Sequence, residues 1–274
     1  MSIKLIALDL DGTLLDSKKQ LSIANRQALI ACIEKGIFIV PATGRTLSGI
    51  PEDVKNLPGV RYAITINGAV VIDTLEHHVL QEAKLEINTA LSIFDMVQGY
   101  HIMYDAYVDG VGISEARFYD RLDEYKISKE IQTLIRATRV VYPDLREAVL
   151  EKGKPVEKIN LFFRDQEERE KVRQLLAGRG DVMISSSFAN NLEINAPGAT
   201  KGAGLLCLAS YLGIRPEETM ACGDGENDHS MIAEAGIGVA MGNAERKLQE
   251  EANYVTATND EDGVARAIER FALS

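Results

Sequence analysis

The stretch that decides the fold is Ile3–Leu15, IKLIALDLDGTLL. Its apolar run from Ile3 to Leu8 has the length and Ile/Leu content of a strand buried on both faces, as in a parallel sheet. The run passes directly into Asp9, Leu10, Asp11, Gly12 and Thr13. Two carboxylates one residue apart at the end of a buried strand raise each other's pKa unless a cation lies between them. Ligands of open α/β sheets bind beyond the carboxyl ends of the strands, where these aspartates belong. An ordinary polar turn at Asp11-Gly12 is the plain alternative, and the rest of the chain has to decide.

Working outward, Ser22 is expected to cap a helix carrying Ile23, Leu29, Ile30 and Ile33, which Gly36 ends. Ile37–Pro41 reads as a second short strand, followed by Ala42-Thr43-Gly44-Arg45. A helical stretch spans Leu47 to Leu57, its regular part delayed by Pro51. Tyr62–Ile66 reads as a third strand, ending at Asn67-Gly68. This β-α-β-α-β order predicts a parallel sheet with right-handed crossovers. Ala69–Asp73 and His78–Gln81 then suit a small hairpin.

The character changes at about Lys84. A helix is expected over Asn88–Gln98, and paired strands at His101–Val108 and Val111–Ser114 around Asp109-Gly110. Charged helical stretches run to Lys152, followed by a strand at Val156–Phe163, a helix at Gln166–Leu176, and strands at Val182–Ser185 and Leu192–Ile194. Antiparallel strands mixed with helices describe an α+β unit. From Lys201 the β/α rhythm resumes, with strands at Thr219–Cys222 and Ile237–Ala240. The expected fold class is therefore α/β, a Rossmann-like parallel-sheet core. It is discontinuous, over residues 1–83 and 192–274, with an α+β domain inserted at 84–191.

Composition narrows the function classes. The 274 residues have a net charge of −11, which opposes a broad nucleic-acid surface. No apolar stretch is long enough for a membrane span, and the apolar N-terminal run is too short for a signal peptide. The three cysteines, Cys32, Cys207 and Cys222, form no C-x-x-C pair, so neither a disulfide framework nor a zinc site is expected. A cytoplasmic enzyme or binding protein is the expectation. An acidic protein that captures an anion also needs locally placed cations.

A second acidic cluster, Gly223-Asp224-Gly225-Glu226-Asn227-Asp228, directly follows the Thr219–Cys222 strand. If the two strands are neighbours, Asp9, Asp11, Asp224 and Asp228 converge on one point. A hard divalent cation such as Mg²⁺ would neutralise them, since it uses few protein carboxylates plus waters and substrate phosphate. A calcium loop of the EF-hand kind is rejected, because His229 stands where its glycine is needed and Ala235 where its last ligand is needed. Thr43-Gly44 offers a hydroxyl and a backbone N–H to a phosphate oxygen. Lys201 opens a helix, where a lysine is unfavourable for the dipole unless an anion lies nearby. Taken alone, it reads as a solvated lysine.

Together the four segments resemble the haloacid dehalogenase (HAD) superfamily of phosphohydrolases: Asp9–Thr13 (DLDGT), the Thr43 turn, Lys201, and Asp224–Asp228 within GDGEND. PATGR (Pro41–Arg45), INGA (Ile66–Ala69) and GDGENDHSM (Gly223–Met231) look more narrowly like the Cof-type branch. Its sugar phosphatases carry a large type C2 cap between the second and third motifs. His229-Ser230 departs from the apolar pair that many relatives have there, and no catalytic consequence is expected.

The resemblance implies roles. Asp9 would be the nucleophile forming an aspartyl-phosphate, and Asp11 the proton shuttle. Mg²⁺ would be held by Asp9, Asp11 (through its backbone carbonyl) and Asp224, with Asp228 assisting. Leu10, Thr43, Gly44, Lys201 and Asn227 would bind the phosphoryl group. Arg45 is either a further substrate-side cation or a salt-bridge partner. Of the insert's polar residues Asp105, Tyr107, Asp109, Ser185, Ser186, Ser187 and Asn190, some could read the substrate, and most are expected at the surface. The function implied is a Mg²⁺-dependent phosphatase of small phosphorylated metabolites, sugar phosphates first. A phosphomutase on the same core and a non-catalytic Mg²⁺- or phosphate-binding regulatory protein remain as alternatives. A homodimer is one assembly the sequence allows.

Overall fold

A computed structural model describes residues Ser2–Ser274. The chain divides into two compact units, one formed by Met1–Glu82 with Thr200–Ser274 and the other by Ala83–Ala199.

The first unit opens with β1 (Leu5–Leu8), followed by the helix Ile23–Glu34, whose N-cap Ser22 accepts a hydrogen bond from the Asn25 N–H at 3.1 Å. Next come β2 (Phe38–Pro41), β3 (Tyr62–Thr65), β4 (Val70–Asp73) and β5 (His78–Glu82). The second unit contributes β6 (Ile102–Val108), β7 (Val111–Glu115), β8 (Arg139–Tyr142), β9 (Lys158–Phe163), β10 (Met183–Ser185) and β11 (Asn191–Asn195). The chain then returns to the first unit with the helix Lys201–Tyr211, β12 (Thr219–Gly223), β13 (Ile237–Ala240) and β14 (Tyr254–Val255).

The main sheet of the first unit runs β14-β13-β12-β1-β2, all parallel, with β1 in register between Leu8↔Cys222 and Leu8↔Pro41. Its alternating side chains enter different cores. Ile6 and Leu8 pack with Leu29, Cys32 and Ile268 of the helices on one face. Leu5 and Ala7 pack with Leu205, Leu208 and Met231 on the other. That is why the N-terminal strand is a continuous apolar run. The expectation for the third strand is corrected. Tyr62–Thr65 joins the main sheet through one bridge only, Ala42↔Ile64, and instead pairs antiparallel with β4 in a three-stranded sheet β3-β4-β5.

The second unit is a six-stranded sheet, β10-β11-β9-β6-β7-β8, antiparallel except at β7–β8. Alternation sorts its side chains. The cross-strand row Ile113, Ala106, Ile159 and Ile194 lies in an apolar core with Phe94, Val149 and Val172 of its helices. The adjacent row, Ser114, Asp105, Asn160 and Glu193, is polar and buried. Arg139 Nε donates to Asp105 Oδ2 at 2.8 Å, and Lys158 Nζ reaches Glu193 at 2.7 Å. Asp105, Tyr107 and Ser186 are thus buried rather than surface residues.

Two further sequence expectations change. Arg139–Tyr142, read as helical, is the edge strand β8, because Val140 and Val141 take the parallel register beside β7. The strand Asn191–Asn195 pairs with β9 and β10, so residues 192–199 lie in the inserted unit and the first unit resumes at Thr200. Among the described residues, no helix is long and apolar enough to cross a membrane.

Candidate active site

Adjacent parallel strands carry their C-terminal residues to the same edge, so the segments after β1 and β12 emerge side by side. The Asp9 N–H donates to the Cys222 carbonyl at 3.0 Å, fixing the two strand ends together. Carboxylate oxygens of Asp9, Asp224 and Asp228 lie within 4.8 Å of one another. Lys201, wholly buried, places Nζ 2.6 Å from Asp9 Oδ1 and 2.6 Å from Asp228 Oδ1. The lysine is therefore not a solvated one.

Each acid has a distinct setting. The second oxygen of Asp228 accepts the backbone N–H groups of Asp224 and Gly225 at 2.9 and 3.0 Å, so both its oxygens are engaged. Asp224 Oδ1 accepts from the Thr13 hydroxyl at 2.7 Å. Burial is the main force raising the Asp9 carboxyl well above the usual range; Lys201 opposes it, while Asp228 and Asp224 add to it. Burial and then Asp228 push Asp224 up to about 7, against the pull of Thr13. For Lys201 burial works downward, but the charges of Asp228 and Asp9 outweigh it and hold the ammonium above its usual value. The Cys222 thiol is pushed up by burial and by Asp228, so it stays protonated and serves packing.

Asp11 stands apart from this cluster. Arg45 Nε and Nη2 each reach its carboxylate at 2.7 Å, and Lys19 Nζ lies 2.8 Å away. Burial would raise its pKa, but Arg45 and Lys19 together bring it below the usual value. Arg45 is accordingly a salt-bridge partner. Lys19, which sequence reasoning did not single out, shares the role.

The remaining predicted residues line the same sheet edge. Thr43, just past β2, is buried. Its N–H donates to the Ile64 carbonyl at 2.8 Å, and its hydroxyl accepts from the Arg45 N–H at 3.2 Å. Gly44 follows in the same turn. Leu10 buries its side chain in the apolar core, so only its backbone is available to a ligand. Asn227 Nδ2 donates to Asn67 Oδ1 at 3.2 Å.

Asn67 and Gly68 are the residues the sequence undervalued. Both have positive φ, and a Cβ on Gly68 would lie 2.1 Å from the Thr200 carbonyl oxygen, against the turn that launches the Lys201 helix. An Asn-Gly pair reads as a hairpin turn, and only its contact with Thr200 reveals the second duty.

The donors suit a hard cation. Asp9 and Asp224 present carboxylate oxygens in a buried space, and Mg²⁺ commonly uses one or two carboxylates. The space beside Asp224 is kept open by Gly12, whose Cβ, were there one, would lie 2.3 Å from Asp224 Oδ2.

Comparison with known proteins agrees with this geometry. The family described as haloacid dehalogenase-like hydrolase matches residues 6–268. The chain belongs to that family. The hydrolase is 34% identical over 275 residues to the 5-amino-6-(5-phospho-D-ribitylamino)uracil phosphatase YcsE of Bacillus subtilis, covering 100% of this chain and 97% of that protein. Its fold resembles that of a haloacid dehalogenase-like hydrolase from B. subtilis, with a TM-score of 0.86, 29% identity, and coverage of 97% of this chain and 99% of that one. It also resembles BT4131, a sugar phosphatase of HAD subclass IIB, with a TM-score of 0.82, 26% identity and 98% coverage of both chains. The α/β fold and the place of this hydrolase among phosphoric monoester hydrolases follow.

Proposed function

We propose that this hydrolase is a Mg²⁺-dependent phosphatase of small phosphate monoesters, sugar phosphates first, acting through an aspartyl-phosphate on Asp9. The observation that carries the reading is the Lys201 ammonium, 2.6 Å from both Asp9 and Asp228, with Asp224 in the same cluster. The substrate class is supported by the names of YcsE and BT4131. A cytoplasmic setting with a small phosphorylated metabolite as partner belongs to the same proposal.

Asp9 and Asp224, with the Asp11 backbone carbonyl, would hold Mg²⁺. Asp228 would support them by fixing Lys201 and the Asp224 backbone. The cation supplies positive charge that offsets the carboxylates and the phosphoryl oxygens. Lys201, the Thr43 hydroxyl, Asn227 and the backbone N–H groups of Leu10 and Gly44 would position those oxygens, the main task in phosphoryl transfer.

An Asp9 oxygen bonds to phosphorus as the ester P–O bond breaks, and Asp11 gives its proton to the departing alkoxide. Asp11 then takes a proton from the water that attacks the aspartyl-phosphate, releasing phosphate and restoring Asp9. In its present geometry Asp11 is a poor acid, because Arg45 and Lys19 favour its charged form. The proposed cycle requires it to leave the Arg45 fork.

The test is a screen of phosphorylated metabolites with Mg²⁺, for the wild type and Asp9→Asn. Free phosphate from the wild type and none from the variant is expected. Turnover by Asp9→Asn would overturn covalent catalysis, and a phosphate-shifted isomer in place of free phosphate would identify a mutase.

A further inference from the structure

The adjacent residues His229 and Ser230 turn to different neighbours in the structure. His229 Nδ1 lies 2.5 Å from Glu251 Oε2. Ser230 turns to a different neighbour, its hydroxyl accepting the Gly202 N–H at 3.0 Å.

That bond joins two helices at a telling place. Gly202 directly follows Lys201 in the helix Lys201–Tyr211, and Ser230 lies two positions after Asp228, in the helix His229–Glu234. Lys201 and Asp228 are themselves linked by the 2.6 Å ion pair. The same two helix starts are therefore tied twice, once between side chains and once between the Ser230 hydroxyl and the Gly202 backbone.

The first N–H groups of a helix lack intrahelical acceptors. Here Thr200 Oγ1 accepts the Ala203 N–H at 3.1 Å, and Ser230 serves Gly202. The approach is also sterically tight: a Cβ on Gly202 would lie 2.6 Å from the Ser230 carbonyl oxygen. The ion pairs with Asp9 and Asp228 fix the tip of the lysine but not the backbone from which it extends. The Ser230 hydroxyl supplies a second tether, at the backbone of the next residue.

We propose that Ser230 is a positioning residue, holding the start of the Lys201 helix so that Nζ sits between Asp9 and Asp228. The inference rests on the reading that Asp9 and Lys201 carry turnover. An error in placement is felt most in the transition state, and displacements of an ångström far from the chemistry can cost up to about 100-fold.

The experiment compares kcat and KM for p-nitrophenyl phosphate with Mg²⁺, together with thermal midpoints, across the wild type and four variants. Ser230→Ala is expected to lower kcat roughly tenfold with KM within about twofold, the pattern of an interaction used in the transition state. Ser230→Thr keeps the hydroxyl and is expected to restore most of kcat. Gly202→Ala keeps Ser230 but forces the helices apart, so it is expected to reproduce the kcat loss, although alanine is the better helix former. Asp9→Asn separates the two readings. If it retains turnover, the catalytic reading itself fails. If it is inactive while Ser230→Ala keeps wild-type kcat, the positioning role alone is overturned. A lowered midpoint with unchanged kcat in Ser230→Ala would likewise assign Ser230 to stability only.

Discussion

Gly12 and Asp224 leave no room between them for a methyl group, since a Cβ on Gly12 would lie 2.3 Å from Asp224 Oδ2 and 2.8 Å from its Cγ. Gly12 also has φ +94°, outside the range side-chain-bearing residues favour. Gly12→Ala is therefore expected to cost about 1–3 kcal/mol in backbone strain alone and to displace Asp224. Calorimetric titration should show Mg²⁺ binding lost, and urea unfolding should show the lowered stability. Wild-type Mg²⁺ affinity in this variant would show that Asp224 is free to move aside.

Lys201→Met removes the cation shared by two buried acids. Breaking a buried ion pair typically costs about 3–5 kcal/mol. The urea midpoint of the metal-free variant should fall accordingly. On the proposed Mg²⁺ site the cation would also neutralise Asp9, so Mg²⁺ should recover part of the loss without recovering turnover. A midpoint equal to that of the wild type would contradict the electrostatic account.

Asp224 makes metal binding depend on pH. Its folded value of about 7 lies above the ordinary 3.8, so between these values the unfolded chain releases a proton that the native metal-free protein keeps. The contribution of this group to metal-free stability is therefore lost as pH rises through that window, and the cost is constant above it. On the proposed site, Mg²⁺ would have to displace the proton below pH 7 but not above. The rise in thermal midpoint on adding Mg²⁺ should be larger at about pH 8 than at about pH 5.5, with proton release measurable at the lower pH.

Arg45 sets the acidity of Asp11. Arg45→Gln removes two 2.7 Å contacts that favour the carboxylate, so the Asp11 pKa should rise. With an alkyl phosphate, whose leaving group needs a proton, the alkaline limb of kcat should move to higher pH. With p-nitrophenyl phosphate, whose leaving group departs as an anion, it should stay where it is. An identical shift for both substrates would point away from Asp11 as the acid.

Sequence reading reached furthest where one chemical demand recurs locally. β1 and β12 each end a short apolar run in acidic residues, and their adjacency is what brings Asp9 and Asp224 together. It reached least where meaning comes from a distant partner. Lys201 looks solvated until Asp9 and Asp228 are seen around it, and Asp11 looks like a free acid until Arg45 and Lys19 are. Asn67-Gly68 has the composition of a plain turn, because the positive φ it supplies is the same whether or not Thr200 packs against it. β8 has only four residues between two helices, too few for a period-two pattern to stand out, and its parallel partner β7 alone makes it a strand.

The position of β1 between β2 and β12 also bears on the order in which the protein is made. On the ribosome β1 and Asp9 emerge well before β12, so one edge of that strand has no partner until residue 223 has emerged. Unpaired apolar edges recruit other chains, so this interval is a window of aggregation risk. The insert, with a hydrophobic core of its own from Leu85 to Ala196, can fold during the wait. A message truncated before β12 would yield the strand and Asp9 without Asp224, and hence a polypeptide with an unpaired apolar edge that lacks, on the proposed site, one of its metal ligands.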